Sequence, residues 1–299
     1  MNIAAPASPD LFTRAGASYD GGTFKTQLLK WVGSKQRQAP AIIKHFPTNF
    51  GTYLEPFLGS GGILGALSPR RAIAGDTFAP LVQIWQALAT EPTTLKKWYA
   101  ERHALISAHG KEQAYASVLE RYNRSPNGAD LLFLCRACYG GVVRFRKADG
   151  CMSTPCGPHT PIAPESFSKR VDAWAERTRG TRFIHADFRE TMNRARRGDL
   201  VYCDPPYADS QAILYGAQDF SLGDLFEAVA ACKKRGVFVA LSIDGSKYSG
   251  AKLCNLPVPD GLFEREYFIE IGRSMLKRFQ MDGRTLEAHG VADRLLLTY

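Results

Sequence analysis

The sequence predicts an α/β fold in which a mostly parallel β-sheet is covered by helices on both faces. Three observations carry that expectation. Short apolar strands alternate with helical runs in the second half of the chain, a glycine turn joins a strand to a helix at residues 59–62, and two of the strands end in a carboxylate, at Asp76 and Asp204.

In chain order, Gly51 to Ala74 reads strand, glycine turn, helix, strand. TYLEPF is a short β-rich run, LGSGG breaks it, ILGAL is briefly helical, and RAIAGD is a second strand ending in an acid. Leu81 to Ala108 reads as helix, with Leu81, Ile84, Trp85 and Leu88 at helical spacing. From Tyr122 to Pro164 the residues Pro, Gly, Arg and Cys interrupt any long period. Alternation then resumes: TRFIHAD and DLVYCD as strands, SLGDLFEAVAACKKRG as a helix, VFVALSI as a buried strand, and FEREYFIEI with RLLLTY as a final strand pair.

Composition narrows the function. The chain has 299 residues, enough for one large α/β domain plus a smaller insert, and 45% are apolar, enough for a sizeable core. No run of eighteen apolar residues exists, so no membrane span is expected, and Met1 to Asp20 lacks the basic start and apolar run of a signal peptide. Seven cysteines, an odd number with no export signal, suggest reduced thiols in a cytoplasm. Lys and Arg outnumber Asp and Glu by 38 to 29, a surplus that favours a polyanionic partner. Arg121 to Arg170 concentrates it, with eight basic and three acidic side chains. A solvated surface would also account for such a run.

The chemistry centres on Asp204-Pro205-Pro206-Tyr207, which follows the apolar strand Leu200 to Cys203. The carboxyl ends of parallel strands are where ligands bind in an open sheet. Two prolines fix the backbone and carry no N–H, so the Asp204 carboxylate and the Pro205 carbonyl form a two-acceptor clamp suited to an –NH2 group. The lone pair of an aromatic amine is delocalised into its ring. Accepting both N–H bonds favours a pyramidal nitrogen with its lone pair aimed at an incoming methyl. Tyr207 offers a flat face for a base that has left a duplex. A plain turn after a strand is the simpler alternative for such a tetrapeptide.

A second feature, Glu55-Pro56-Phe57-Leu58-Gly59-Ser60-Gly61-Gly62, also follows a strand. Its glycines allow close approach of backbone to a ligand. The spacing departs from GxGxxG, and no Lys-Ser/Thr pair follows, so neither a dinucleotide fingerprint nor a phosphate loop is expected. Asp76, ending the next strand, suits the two ribose hydroxyls of a nucleoside, although a turn or helix cap would use the same residue. A third run, LLKWVGSK, places Trp31 and Lys35 together near the start. Trp can cover an adenine or a methionine chain, and Lys35 can neutralise a carboxylate or a phosphate; Trp31 alone reads more readily as a core residue.

In this order, LLKWVGSK, YLEPFLGSGG, Asp76, HADF and VYCDPPY resemble the Dam-type, α-group DNA adenine-N6 methyltransferases over residues 27–299. The resemblance implies a Rossmann-like S-adenosylmethionine-dependent methyltransferase fold with an inserted, mainly helical target-recognition domain. It implies a tail at 1–26, a catalytic domain at 27–85 and 177–299, and the insert at 86–176. Carried over by position, it assigns Trp31, Lys35, Glu55, Phe57, Gly59, Ser60, Asp76, Asp187, Phe188 and Asp204 to the S-adenosylmethionine site. Asp204, Pro205, Pro206 and Tyr207 become the catalytic tetrapeptide. Two positions depart from the family pattern: Gly33-Ser34 stands where two glycines are usual, and Thr77-Phe78 follows the strand-end acid where an aliphatic-Asn pair is common.

The same resemblance places the base-reading helix end and hairpin at CRACYGGVVRFRKADG. Arg124, Arg136, Tyr139, Arg144, Arg146 and Lys147 are the expected DNA contacts, with Tyr139 or Phe145 as a wedge into the base stack. Duplex DNA bound by a monomer, and no membrane, are the expected partners. Cys135-x2-Cys138 and Cys151-x4-Cys156 with His159 superficially resemble a zinc site. The apolar helical run around Leu131 to Cys138 argues against one, and no metal is expected. Other targets for the same chemistry are cytosine N4 and adenine in RNA, and a DNA-binding homologue without turnover is a different class of alternative.

Overall fold

The computed structural model describes residues 24–206, 220–244, 258–272 and 291–299. Tyr207 and nearly all of the N-terminal tail therefore lie outside the described residues.

Among the described residues a seven-stranded sheet runs in the order β3-β2-β1-β4-β5-β7-β6. Its strands are β1 (Tyr53–Glu55), β2 (Ala72–Asp76), β3 (Thr181–His185), β4 (Leu200–Cys203), β5 (Phe238–Asp244), β6 (Arg265–Gly272) and β7 (Val291–Leu297). The first five are parallel, and β7 is inserted antiparallel to both of its neighbours, β5 and β6. The expected final strand pair is thus present.

Both faces of the central strands are buried, and alternation along β1, β4, β5 and β7 divides the apolar residues between them. Tyr53, Leu200, Tyr202, Ala240, Leu295 and Leu297 join one core. Leu54, Val201, Cys203, Val239, Leu241 and Leu296 join the other. This period of two, apolar on both sides, is what a covered parallel sheet requires. The first face is covered by α1 (Ala39–Ile43), α2 (Gly62–Leu67) and α3 (Ala79–Thr90), and the second by α8 (Phe188–Asn193) and α9 (Leu222–Lys234). Each fully buried Leu or Val contributes about 1.5–3 kcal/mol of hydrophobic free energy.

The expected single helix over Leu81 to Ala108 is two helices. The chain leaves α3 at Glu91, whose φ of −151° is not helical, and restarts at Pro92 as α4 (Pro92–His109). Proline fits the first helical position, where its missing N–H has no partner to lose. Next come α5 (Lys111–Arg124), α6 (Gly128–Ala137) and α7 (Pro164–Arg177). The interrupted region around residues 122–164 therefore contains one clear helix, α6, followed by irregular chain with antiparallel bridges at Cys138/Cys156 and Phe145/Met152. The boundary expected after residue 85 falls inside α3, and that expected after 176 falls at the last residue of α7.

Candidate cofactor and catalytic site

The strand order reverses between β1 and β4, and β1, β4 and β2 all release their chains at the same edge of the sheet. Crevices at such reversals bind ligands in open α/β sheets. A cavity of about 310 Å³ lies there. All ten residues expected at the cofactor site line it: Trp31, Lys35, Glu55, Phe57, Gly59, Ser60, Asp76, Asp187, Phe188 and Asp204. Pro205 and Pro206 line it too.

The glycine loop is held from several sides. Gly59 and Gly61 have φ of +47° and +63°, left-handed conformations that side chains rarely adopt. The Trp85 indole donates to the Gly59 carbonyl at 3.1 Å, and the Gly59 N–H donates to Asp76 at 3.0 Å. Asp76 accepts a second backbone bond from Phe78 at 3.0 Å. Desolvation raises the Asp76 carboxyl pKa, and the backbone donors of Phe78 and Gly59 offset part of that rise. Ser34, one of the two departures from the family pattern, meets the loop directly, its hydroxyl 2.8 Å from that of Ser60.

The polar floor is set by strand alternation. Glu55 lies two residues after Tyr53, and Asp204 two after Tyr202, so both acids share the face of the buried tyrosines. Tyr53 donates to Glu55 at 2.7 Å, and Tyr202 pairs with Ser242 at 2.9 Å. Burial lifts the Glu55 carboxyl to about 8, with nearby Asp204 adding to the rise and the Tyr53 bond opposing it. Lys35, in a short 3-10 turn at Lys35–Arg37, ion-pairs with Asp204 at 3.1 Å and with Asp293 of β7 at 3.0 Å. Burial acts to lower the ammonium pKa, but the two carboxylates outweigh it and leave it raised.

The other wall is aromatic. Phe57 stacks on Phe188 at 5.3 Å, and Phe220 meets both edge-on at 5.8 and 5.9 Å. Asp187 caps α8 by accepting from the Arg189 N–H at 2.8 Å. Taken together, the walls offer carboxylates for hydroxyl and amine donors, apolar rings for a flat heterocycle, and acids near a positive centre. These features fit a cationic nucleoside donor, and the volume is in the range of small-molecule sites. Phe220, Phe78 and Asp293 were not anticipated. Two phenylalanines in loops carry no periodic signal, and Asp293 is an acid within a strand whose partner Lys35 is remote in sequence.

The expected DNA contacts separate into two groups. Arg124, Tyr139, Arg144, Arg146 and Lys147 are exposed. Arg124 pairs with Glu120, and Arg146 with Asp149 at 2.5 Å. Tyr139, 43% exposed, follows α6 at a turn containing Gly140 and Gly141, both at positive φ. Arg136 is corrected. It is only 4% exposed, donates to the carbonyls of Gln27 and Leu28 at 3.2 and 2.8 Å, and lies over the Phe167 ring. It pins the segment before Trp31 to α6. Phe145 packs edge-on against Phe78 at 5.5 Å, linking the hairpin to the cavity wall.

Cys135 and Cys138 are buried thiols, pushed up to about 11 and about 12 by desolvation. Among the described residues no group of three or more His, Cys, Asp or Glu side chains is arranged to hold a metal ion. No helix of the described residues is long and apolar enough to cross a membrane.

The family described as D12 class N6 adenine-specific DNA methyltransferase matches residues 31–253, spanning the lysine turn, the glycine loop, the helical segment and Asp204. A DNA adenine methylase of Vibrio cholerae serotype O1 is 27% identical over 231 residues, which cover 72% of this chain and 79% of that protein. The retron Ec67 DNA adenine methylase of Escherichia coli is 28% identical over 215 residues, 70% of this chain and 72% of its own. The type II methyltransferase M1.LlaDCHI of Lactococcus lactis subsp. cremoris is 23% identical over 237 residues, 73% of this chain and 80% of its own. With the match extending over most of its length and through every block that builds the cavity, the chain belongs to the D12 class N6 adenine-specific DNA methyltransferase family.

Proposed function

We propose that the chain moves a methyl group from S-adenosylmethionine to the N6 amine of an adenine flipped out of double-stranded DNA, acting as a monomer in a bacterial or phage-infected cell. The observation that carries the reading is the gathering of the ten expected cofactor residues, Asp204 among them, around one cavity. The family match supports adenine and DNA over cytosine N4, an RNA target or a homologue without turnover.

When bound, S-adenosylmethionine supplies an activated methyl on a sulfonium. The residues of the chain then have only to bind, orient and accept a proton. Asp76 would hold the ribose hydroxyls, and Phe57, Phe188 and Phe220 would flank the adenine ring of the cofactor. Glu55, Asp187, Trp31, Lys35, Gly59 and Ser60 complete that site. Asp204 and the Pro205 carbonyl accept the two N–H bonds of the target amine, Pro206 fixes the turn, and Tyr207 stacks on the extruded base. Orientation of this kind is worth roughly 7–11 kcal/mol at best. Arg124, Arg144, Arg146 and Lys147 contact phosphates or guanine edges, and Tyr139 fills the gap left in the stack. The helical segment at 86–176 is the target-recognition unit.

Replacing Asp204 by Ala is expected to abolish methyl transfer, measured with tritiated cofactor, while calorimetry still detects cofactor binding. Near-normal turnover in that variant would remove the mechanism.

A further inference from the structure

We infer that Asp293 is a positioning residue for methyl transfer, sharing the Lys35 ammonium with Asp204 and fixing where it sits. The inference rests on the reading of Asp204 as acceptor for the substrate amine. Its own support is geometric.

Because β7 runs antiparallel to β5, its first residues lie at the edge where the parallel strands end. Asp293 is in register with Asp244, the last residue of β5, and the end of β4 is one strand further. Alternation gives Asp293 the same face as Leu295 and Leu297, the face on which Tyr202 and Asp204 lie. An acid there is directed at the lysine turn rather than at solvent. Its residue exposure is 3%, against 7% for Lys35, and the ion pair between them measures 3.0 Å.

Buried charges persist only when paired, so some partner for Lys35 is required. Asp204 already provides one at 3.1 Å. A second carboxylate does something a single pair does not. Within a trio of two carboxylates and one ammonium a negative charge remains, so Asp204 keeps its strength as a hydrogen-bond acceptor while its position is fixed. With Asp293 neutral, the Lys35 charge would be spent on Asp204 alone. The carboxylate would then accept less strongly from an amine that becomes positive as it gains a methyl. Electrostatic groups preorganised around developing charge carry large effects in dry sites.

The test uses the full-length chain, labelled S-adenosylmethionine, and a plasmid that the unaltered chain methylates. Asp293→Asn keeps the size and an acceptor oxygen and removes only the charge. It is expected to slow single-turnover transfer roughly ten- to hundredfold, less than loss of a direct contact. Because Lys35 also belongs to the cofactor site, affinity by calorimetry should fall by less than the rate does, and Asp293→Glu should recover part of the rate. In a Lys35→Met background, Asp293→Asn should cause no further slowing, because the residue acts through the lysine. Should Asp293→Asn fail to fold, Asp293→Ser, neutral and small enough to admit a water, takes its place. A wild-type rate in the neutral variant overturns the inference. So does a slowing that merely tracks the unfolded fraction, or one that multiplies with Lys35→Met. If Asp204→Ala is itself active, the amine-clamp reading falls first. An inactive Asp204→Ala beside a fully active Asp293→Asn sinks Asp293 alone.

Discussion

Glu55 illustrates how one side chain couples the site to stability. Its carboxyl is enclosed beneath the cavity, and burial, reinforced by Asp204, lifts it from 4.5 to about 8. Between those values the unfolded chain has lost the proton and the folded chain retains it. Folding then binds a proton, so this group's contribution to stability falls as pH rises through that window and stays lost above about 8. Glu55→Gln removes the titration. Chemical denaturation of the cofactor-free protein should therefore show a gap between variant and wild type that shifts in favour of Gln from pH 5 to 8. A gap constant with pH would mean that Glu55 is ionised throughout. At this scale the sequence was legible where a motif names the residue, as with Asp76 or Asp204. Asp293 was not legible, because an acid in VADRLLL acquires meaning only when folding brings Lys35 to it. Arg136, expected as a DNA contact, is instead enclosed. Every residue of α6 is buried, and a helix apolar nearly all round leaves an arginine on it no route to solvent.

Among the elements, the contact between the glycine loop and the lysine turn is tightly constrained. A Cβ at Gly62, the first residue of α2, would stand 2.7 Å from the Gln36 backbone nitrogen and 3.1 Å from its Cα. Backbone cannot move aside as a side-chain tip can. Gly62→Ala must push the Lys35–Arg37 turn away from α2, and Lys35 with it. Overpacking of this kind costs about 1–3 kcal/mol. The expected outcome is a lower midpoint in denaturant together with weaker cofactor binding by calorimetry. Retained affinity would show that the turn relaxes without disturbing the cavity. The strands and the helices α2, α6 and α9 followed from period and punctuation, since both local propensity and burial favour them; α1, α5, α7 and α8 were not read. The break between α3 and α4 did not, because Pro92 at a helix start and Pro92 inside a kinked helix look alike until the φ of Glu91 is known. The glycine loop read correctly as a close approach, but its counterpart Gln36 lies outside any motif.

At the scale of the whole molecule, the helical segment and the sheet are joined by shared aromatic packing. Trp85 of α3 stacks on Phe183 of β3 at 5.5 Å and meets Trp174 of α7 at 5.2 Å. Trp174 in turn packs edge-on with Phe24 at 5.1 Å and donates to the Thr26 carbonyl at 2.9 Å. Tyr99, Tyr122, Phe133 and Phe167 extend the same core through α4 to α7. The helical segment therefore shares one hydrophobic core with the sheet, tied further by Arg177 donating to the Gly65 and Ala66 carbonyls. It follows that unfolding by denaturant should be a single transition, with tryptophan fluorescence and far-ultraviolet circular dichroism coinciding. Trp174→Ala tests the junction itself. Removing a fully enclosed indole costs about 3–5 kcal/mol, so the midpoint should fall while the two signals stay coincident, because both parts lose the same support. If the fluorescence change instead separates from the loss of strand and helix signal, the helices melt independently, and the core shared between the helical segment and the sheet is not what holds the molecule together.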